Sequence, residues 1–421
     1  MHAAMSQEKR IHLQELPSSS GHVARFTRIV DPANALRVQL KENLENECTP
    51  QELIQSWSPP RKCPKICKGK ENDSAPFVLA RRPRKKPEAE RGLSWDNLPD
   101  ELLLGIFYHL PLADLLRVSR ACRRWHCLAF DEFLWHSIDL TGKSLLAHPL
   151  HQALNAGIVA LRCPRTCIGK PLLRDSCPFR LQHADFSNCT VSTTVLEDII
   201  GHCHRLQNLS LEGLVLSDQV MLSLAQNTEL AQLNLSGCSG FSAESLKEML
   251  QHCSCLKELN LAWCTFKAEH IAAAVNNFPE GLTQLNLSGY RESLCGNDVE
   301  VLVKRCLNLT SLDVSDNVLL TADCFKYFLQ LNSLQHLGLS RCYQINPASL
   351  IDFEKCHSLK TLEVFGIVQD VHLPVLWNSL PRIKINTCPF TTIARPTTGG
   401  KNSRNIWGIK CRLSYRGPFS F

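Results

Sequence analysis

Hydrophobic positions follow two different periods in two stretches of the chain. Between residues 94 and 140, Leu102, Leu103, Ile106, Phe107 and Leu110 recur every three or four residues, which predicts an amphipathic helix. Pro99 suits the first turn of that helix, where a missing N–H is harmless. Pro111 interrupts it. A second helix carrying Leu115, Leu116, Val118, Cys122 and Trp125 is expected to follow. A helical module of about 45 residues is marginal alone, so it is predicted to dock on a neighbour or partner.

From about residue 138 to 390 the pattern changes to L-x-x-L-x-[LV], in seven copies. They are Leu206/Leu209/Leu211, Leu230/Leu233/Leu235, Leu256/Leu259/Leu261, Leu282/Leu285/Leu287, Leu309/Leu312/Val314, Leu334/Leu337/Leu339 and Leu359/Leu362/Val364. Their first leucines are spaced by 24, 26, 26, 27, 25 and 25 residues, the period of leucine-rich repeats. Degenerate copies flank them at Leu181/Ala184/Phe186 and Leu380/Ile383/Ile385. Helical patterns such as SAESLKEMLQHC lie between copies, so each unit is a strand, a turn and a helix, stacked on one continuous core. The fold class is therefore α/β: a small helical module followed by a horseshoe solenoid.

The same alternation assigns faces, since side chains along a strand point to opposite sides. The residue after each last strand apolar position is mostly small. The next column reads Gly213, Gly237, Trp263, Gly289, Asp316, Arg341, Gly366. Glycine is its default, and three copies depart to an aromatic and two charges. Arg291 and Tyr343 fall two residues further along. Trp, Tyr and Arg are enriched at binding hot spots, so these five are expected to form a protein-binding patch. Residues 391–421 are polar, but Ile406 and Trp407 are apolar anchors. This tail is predicted to fold back on the solenoid and to add Phe390 to the edge surface.

Residues 1–93 show no sustained period and are predicted to lack fixed structure. Between Arg61 and Arg91 there are 11 Lys/Arg and 4 Asp/Glu, a net of +7; with +6 overall, the rest of the chain is −1. Basicity thus belongs to one segment and does not describe a nucleic-acid-binding fold. Within it, Arg81, Arg82, Arg84, Lys85 and Lys86 read as a nuclear import signal, against a nucleic-acid arm or a solvated charge run. Ser58, followed by Pro59, fits a proline-directed phosphorylation site. No apolar run approaches membrane-spanning length, and the opening MHAAMSQEKRIHLQEL does not look like a secretory signal.

The 21 cysteines, an odd number without an export signal, suggest free thiols in a reducing compartment. Nine keep fixed repeat phases. Cys203, Cys253, Cys306 and Cys356 lie three residues before a first leucine; Cys189, Cys238, Cys264, Cys342 and Cys388 lie three after a last strand apolar residue. Small, weakly polar thiols suit tight inner corners. Zinc is the alternative, at Cys63/Cys67, Cys163/Cys167 or His202-Cys203-His204, but no second pair stands at finger-like distance. No cofactor is expected, and no phosphate loop, catalytic dyad or metal set suggests an enzyme.

The helical module resembles an F-box, through Leu98-Pro99, Glu101, Leu102, Leu103, Ile106, Phe107, Leu110, Leu115, Val118, Cys122, Trp125 and Leu134-Trp135. Followed by cysteine-type repeats, and with the stretches WDNLPDELLLGIF, LNLSGCSGFS, TQLNLSGYR, LSRCY, FTTIARPT and IWGIKCRL, it is similar to the S-phase-kinase-associated family of F-box proteins over about residues 94–413. The resemblance implies a domain order of 1–93 regulatory segment, 94–140 F-box, 141–390 repeats and 391–421 tail. It implies a non-catalytic substrate receptor of a cullin-RING ubiquitin ligase, nuclear and cytoplasmic. The F-box would bind a Skp-type adaptor linked to a cullin scaffold with its RING subunit. The adaptor face would draw on Trp95, Leu98, Pro99, Leu102, Leu103, Ile106, Leu115 and Trp125, some as contacts and some as internal packing. The repeats would hold phosphorylated protein substrates with a small cyclin-dependent-kinase accessory protein, at Trp263, Arg291, Asp316, Arg341, Tyr343 and Phe390. A repeat scaffold or inhibitor without ligase partners would explain the repeats but not the F-box-like module.

Overall fold

In the computed structural model, the residues described are 95–142, 144–145, 150, 153–169, 178–397 and 405–414. The import-like run 81–86, Ser58 and Cys63/Cys67 lie outside them. The F-box region holds three helices: α1 (Asp100–Tyr108), α2 (Leu112–Val118) and α3 (Arg123–Ala129). The single second helix expected from the sequence is thus two. Ser119 to Cys122 break it, and Cys122 is the N-cap of α3, its sulfur accepting from the Trp125 N–H at 3.4 Å. Pro99 is the extended N-cap of α1, one position before the expected turn.

A twelve-stranded parallel sheet follows. Its strands are β1 (Ser137–Asp139), β2 (Ala160–Arg162), β3 (His183–Asp185), β4 (Asn208–Ser210), β5 (Gln232–Asn234) and β6 (Glu258–Asn260). Then come β7 (Gln284–Asn286), β8 (Ser311–Asp313), β9 (His336–Gly338), β10 (Thr361–Glu363), β11 (Lys384–Ile385) and β12 (Leu413–Ser414). Sequence order is spatial order with one exception: β12 pairs with β1 at the opposite end. The repeat leucines stack in register, Leu209 on Leu233 on Leu259 on Leu285 on Leu312 on Leu337 on Leu362, all essentially buried. That column is the shared core that one repeat cannot build alone.

Three strands of the sheet, β1, β2 and β12, lie outside the seven copies and their flanks. β1 and β2 carry the repeat phase as Trp135/Ile138/Leu140 and Ile158/Leu161/Cys163, with Trp and Cys where leucine was sought. The sheet therefore starts inside the 94–140 span assigned to the F-box. Three successive helices between strands begin at serine caps: Ser192, Ser217 and Ser242 accept the N–H of Val195, Val220 and Ser245, satisfying donors that a helix start leaves unpaired. From Ala322 onward the connections shorten to 3₁₀ turns and single-turn helices before Leu373–Ser379.

Eight of the nine phased cysteines are buried; Cys388 is exposed, because the sheet has no further repeat beyond β11 to cover it. The buried thiols donate to carbonyls of the preceding turn: Cys238 to Leu211 at 3.1 Å, Cys264 to Leu235 at 3.0 Å, Cys342 to Val314 at 3.3 Å. Burial pushes the thiols of Cys203, Cys253, Cys264, Cys306 and Cys342 up to about 12. Of the tail, residues 391–397 and 405–414 are described, and several of them contact the repeats. The Asn260 amide donates to the Ile393 carbonyl at 3.3 Å, the Ala394 N–H to Glu258 at 3.1 Å, and Ile406 and Cys411 are buried against Ala160. No helix is long and apolar enough to cross a membrane among the described residues.

Candidate interaction surfaces

The column after each strand has a backbone reason for its glycines. Gly213, Gly237, Trp263, Gly289, Asp316, Arg341 and Gly366 all have positive φ, between 58° and 95°. This left-handed turn keeps the main-chain ladder going past the strand. The N–H groups of Gly213, Gly237, Trp263, Asp316 and Arg341 donate to Ser236, Ala262, Ser288, Ser340 and Phe365 at 2.8–2.9 Å. Glycine adopts such a conformation freely. Trp263, Asp316 and Arg341 hold it against steric cost, of the kind that collects at functional sites.

Those three residues meet there. Trp263, Arg291, Asp316, Arg341 and Tyr343 line one pocket of about 360 Å³ together with Val318, which the sequence reading had not singled out. Arg341 and Asp316 form a two-point pair, Nε to Oδ1 and Nη2 to Oδ2 both at 2.6 Å, a rigid and directional contact. The carboxylate is buried and the guanidinium half exposed. Hydrogen bonding to Asp316 raises the Arg341 pKa. With Arg291 exposed and unmatched by a second carboxylate in the lining, the pocket carries one excess positive charge.

Gly289 makes room for the aromatic wall. A Cβ there would lie 2.5 Å from Trp263 Cδ2, so the indole rests on bare backbone. Trp263 is 49% and Tyr343 64% exposed, a large amphipathic surface without a cover. Phe390, 74% exposed, lies beside rather than in this pocket. It faces a neighbouring concave groove of about 670 Å³, between the sheet and residues 388–395, which Trp263, Asp316 and Arg341 also border. The floor of that groove is acidic, and burial raises the Asp313 and Glu363 carboxyls above their ordinary values.

At the F-box the structure separates the eight expected adaptor residues. Leu103 and Leu115 have no exposed surface: they belong to the internal packing of the module and do not face a partner. Trp125 is partly buried between Trp95 and Phe107, edge to face at 6.0 and 5.5 Å. Trp95, Leu102 and Ile106 are 55%, 57% and 41% exposed, Pro99 is exposed and Leu98 half-buried. Arg124 holds this edge, donating to Asp100 at 2.8 Å and to the carbonyls of Asp96 and Leu98. Exposed apolar side chains at this density mark an interaction face.

No group of three His, Cys, Asp or Glu side chains that could hold a metal ion occurs among the described residues. Cys203 is buried at a helix end with its thiol on the Ile199 carbonyl at 3.2 Å.

Comparison with known proteins agrees with both modules. Residues 95–141 match the F-box-like family model, and residues 148–414, more than half of the chain, match the SKP2 LRR domain model. F-box/LRR-repeat protein 12 of Homo sapiens is 26% identical over 238 residues, 46% of this chain and 71% of that protein. Coronatine-insensitive protein homolog 1a of Oryza sativa subsp. indica is 27% identical over 282 residues, 63% of this chain and 43% of that protein. Among solved structures, the leucine-rich repeat-containing protein LegL7 of Legionella pneumophila aligns with a TM-score of 0.35 at 20% identity, over 49% of this chain and 73% of that one. With an F-box-like module placed ahead of the matched repeats, the chain belongs to the SKP2 LRR domain family.

Proposed function

We propose that this chain captures phosphorylated cell-cycle regulators, such as cyclin-dependent-kinase inhibitors, for ubiquitination, aided by a small cyclin-dependent-kinase accessory protein. The broader role follows from the two modules: an F-box joined to such repeats is the substrate-recognition part of a Skp-cullin-F-box ligase, and the F-box implies a Skp1-type adaptor. F-box/LRR proteins of this kind are typically non-catalytic. The observation that carries the finer reading is the convergence of Trp263, Arg291, Asp316, Arg341 and Tyr343 on one pocket. Its exposed aromatics suit a protein partner, and its excess positive charge suits an anionic one.

The mechanism is positioning. A lysine held near a charged conjugating enzyme reacts at a raised effective concentration, and no bond need form to this chain. The cullin and RING subunits supply the scaffold for that enzyme. The 81–86 run would carry the protein to the nucleus, leaving a cytoplasmic fraction, and phosphorylation of Ser58 would offset part of its charge.

The test is reconstitution of the full chain with adaptor, cullin-RING scaffold, accessory protein and a phosphorylated inhibitor. Arg341→Ala should lose accessory-protein capture and ubiquitin transfer while still binding the adaptor. Leu102→Asp with Ile106→Asp should lose the adaptor and keep the pocket. Undiminished capture by Arg341→Ala would sink the pocket assignment; undiminished adaptor binding by the double variant would sink the F-box face. Unchanged nuclear accumulation after neutralising 81–86 would remove the import reading.

A further inference from the structure

The last described residues return to the first described module. Leu413 and Ser414 pair in parallel with Ile138 and Asp139. Arg412, just before them, reaches to the F-box. Its Nε donates to the Tyr108 carbonyl at 3.1 Å, and its Nη2 to the carbonyls of Phe107 and Tyr108 at 3.0 and 2.7 Å. Its Nη1 donates to the Leu134 carbonyl. The guanidinium lies 4.4 Å from the centre of the Tyr108 ring, and the Arg412 N–H donates to Ser137 Oγ at 3.0 Å.

Phe107 and Tyr108 end α1, so their carbonyls form the negative pole of that helix. A cation with a flat fork of donors suits that pole. The same helix carries Leu102 and Ile106 on its exposed side. One side chain therefore ties the helix of the adaptor face to the first strand of the repeat sheet. Other contacts across this joint are of three kinds, one of which, the buried Trp135 indole N–H donating to the Ala129 carbonyl at 2.8 Å, holds α3 rather than α1. Leu134, Trp135 and Ile138 are buried in the common core, and apolar burial is non-directional. The Arg180–Glu132 pair has both side chains more than half exposed, where ion pairs contribute little.

We infer that Arg412 is a positioning residue that pins the end of α1 to the repeat sheet and so fixes the angle between the F-box and the solenoid. Its consequence for transfer rests on the ligase reading above; the pin itself does not. A loosened joint lets the held substrate sample more orientations relative to the conjugating enzyme. Effective concentration falls although neither binding face is altered.

The test uses the full chain spin-labelled at two exposed cysteines, Cys127 in α3 and Cys255 in the repeats. The other exposed cysteines, and those outside the described residues, are replaced by serine. Wild type should give one narrow distance distribution. Arg412→Ala should broaden it about twofold and Arg412→Lys by less, since an ammonium cannot reproduce the fork; Glu132→Ala should leave it narrow. The lysine variant serves if the alanine variant unfolds. In the reconstituted ligase, Arg412→Ala should keep adaptor affinity within about twofold and lower ubiquitin transfer at least about threefold. A narrow distribution in either folded Arg412 variant overturns the inference, whatever the transfer rate. Broadening, in a protein whose wild type transfers no ubiquitin, supports the pin and overturns the ligase reading alone.

Discussion

Gly213 and Gly237, near the middle of the sheet, occupy the same left-handed turn as Trp263, Asp316 and Arg341 further along it. The two sets are surrounded differently. A Cβ on Gly213 would lie 2.5 Å from Asn188 Oδ1, and one on Gly237 would rest against Gly213 itself. Backbone packs on side chain and backbone there, leaving a smooth rim. At the later repeats the same position carries large side chains that turn outward into a pocket. The ladder N–H is made in both regions, so the architecture does not require the larger residues. Trp263 and Arg341 hold an unfavourable conformation without helping the sheet, as Arg165 does at an earlier turn; what sets the later residues apart, and supports the proposed binding role, is that they line one pocket.

The largest effect is expected where the rim is tightest. Gly240 has φ +93°, and a Cβ would fall 2.4 Å from the Leu216 carbonyl oxygen. Backbone cannot yield as a side chain does. Gly240→Ala should lose about 3 kcal/mol or more of stability, read as a fall in the denaturant midpoint. A loss under about 1 kcal/mol would show that the turns are softer than drawn.

Next in size is a change in the pocket that spares the backbone. Asn tolerates positive φ at least as well as Asp, so Asp316→Asn keeps the turn and removes the charge facing Arg341. The guanidinium, half exposed, is then free to leave its place. Capture of the accessory protein should weaken about tenfold or more, with stability changed by under about 1 kcal/mol. Calorimetric titration and thermal melting separate the two effects; a parallel loss of both would make the pair structural.

Much of this was legible in the sequence, and the gaps have physical reasons. The L-x-x-L-x-L ladder was readable because buried positions on the strands accept mainly leucine. β1 and β2 were hidden because Trp135 and Cys163 meet the same demand with different shapes. The pocket residues were found as departures from glycine, but the reason for glycine, a positive φ, is invisible without backbone. Leu103 and Leu115 could not be told from Leu102 and Ile106, because spacing along a short helix does not say which stripe meets a partner. Arg412 gave no local signal: its partners lie about 280 to 305 residues earlier in the chain, and only the tail's return brings them together. Cys388 kept its phase without its role, since being the last copy leaves it uncovered.

That contrast among the thiols predicts a smaller effect. Cys238 has no exposed surface, and its thiol sits on the Leu211 carbonyl at 3.1 Å. Serine would bury a more strongly polar group in the same space. Cys238→Ser should cost about 1–2 kcal/mol, and Cys388→Ser should leave the melting temperature unchanged. At pH 8, a thiol held near 12, such as Cys203, is almost wholly protonated and also buried, whereas Cys388 and Cys255 are exposed to a reagent. Iodoacetamide should therefore mark Cys388 and Cys255 and spare Cys203, Cys264 and Cys342 in the folded protein, as peptide mapping would show.

At Trp263 a still smaller effect separates the backbone from the side chain. Trp263→Ala and Trp263→Gly both remove the indole, uncover Gly289 to the same degree and abolish the aromatic wall of the pocket. They differ only in a Cβ at φ +58°. Alanine there should be less stable than glycine by about 1 kcal/mol, since an L side chain in this conformation crowds the following carbonyl. Part of the difference is offset by the greater freedom glycine gives the unfolded chain, so the measured gap should sit at the low end. Binding should be lost equally in both. If glycine is the more stable, the C-terminal rim retains a strained turn for the sake of its surface. If alanine equals or exceeds glycine, the turn relaxes around any side chain, and the departures from glycine at residues 263, 316 and 341 lose their meaning as a mark of function.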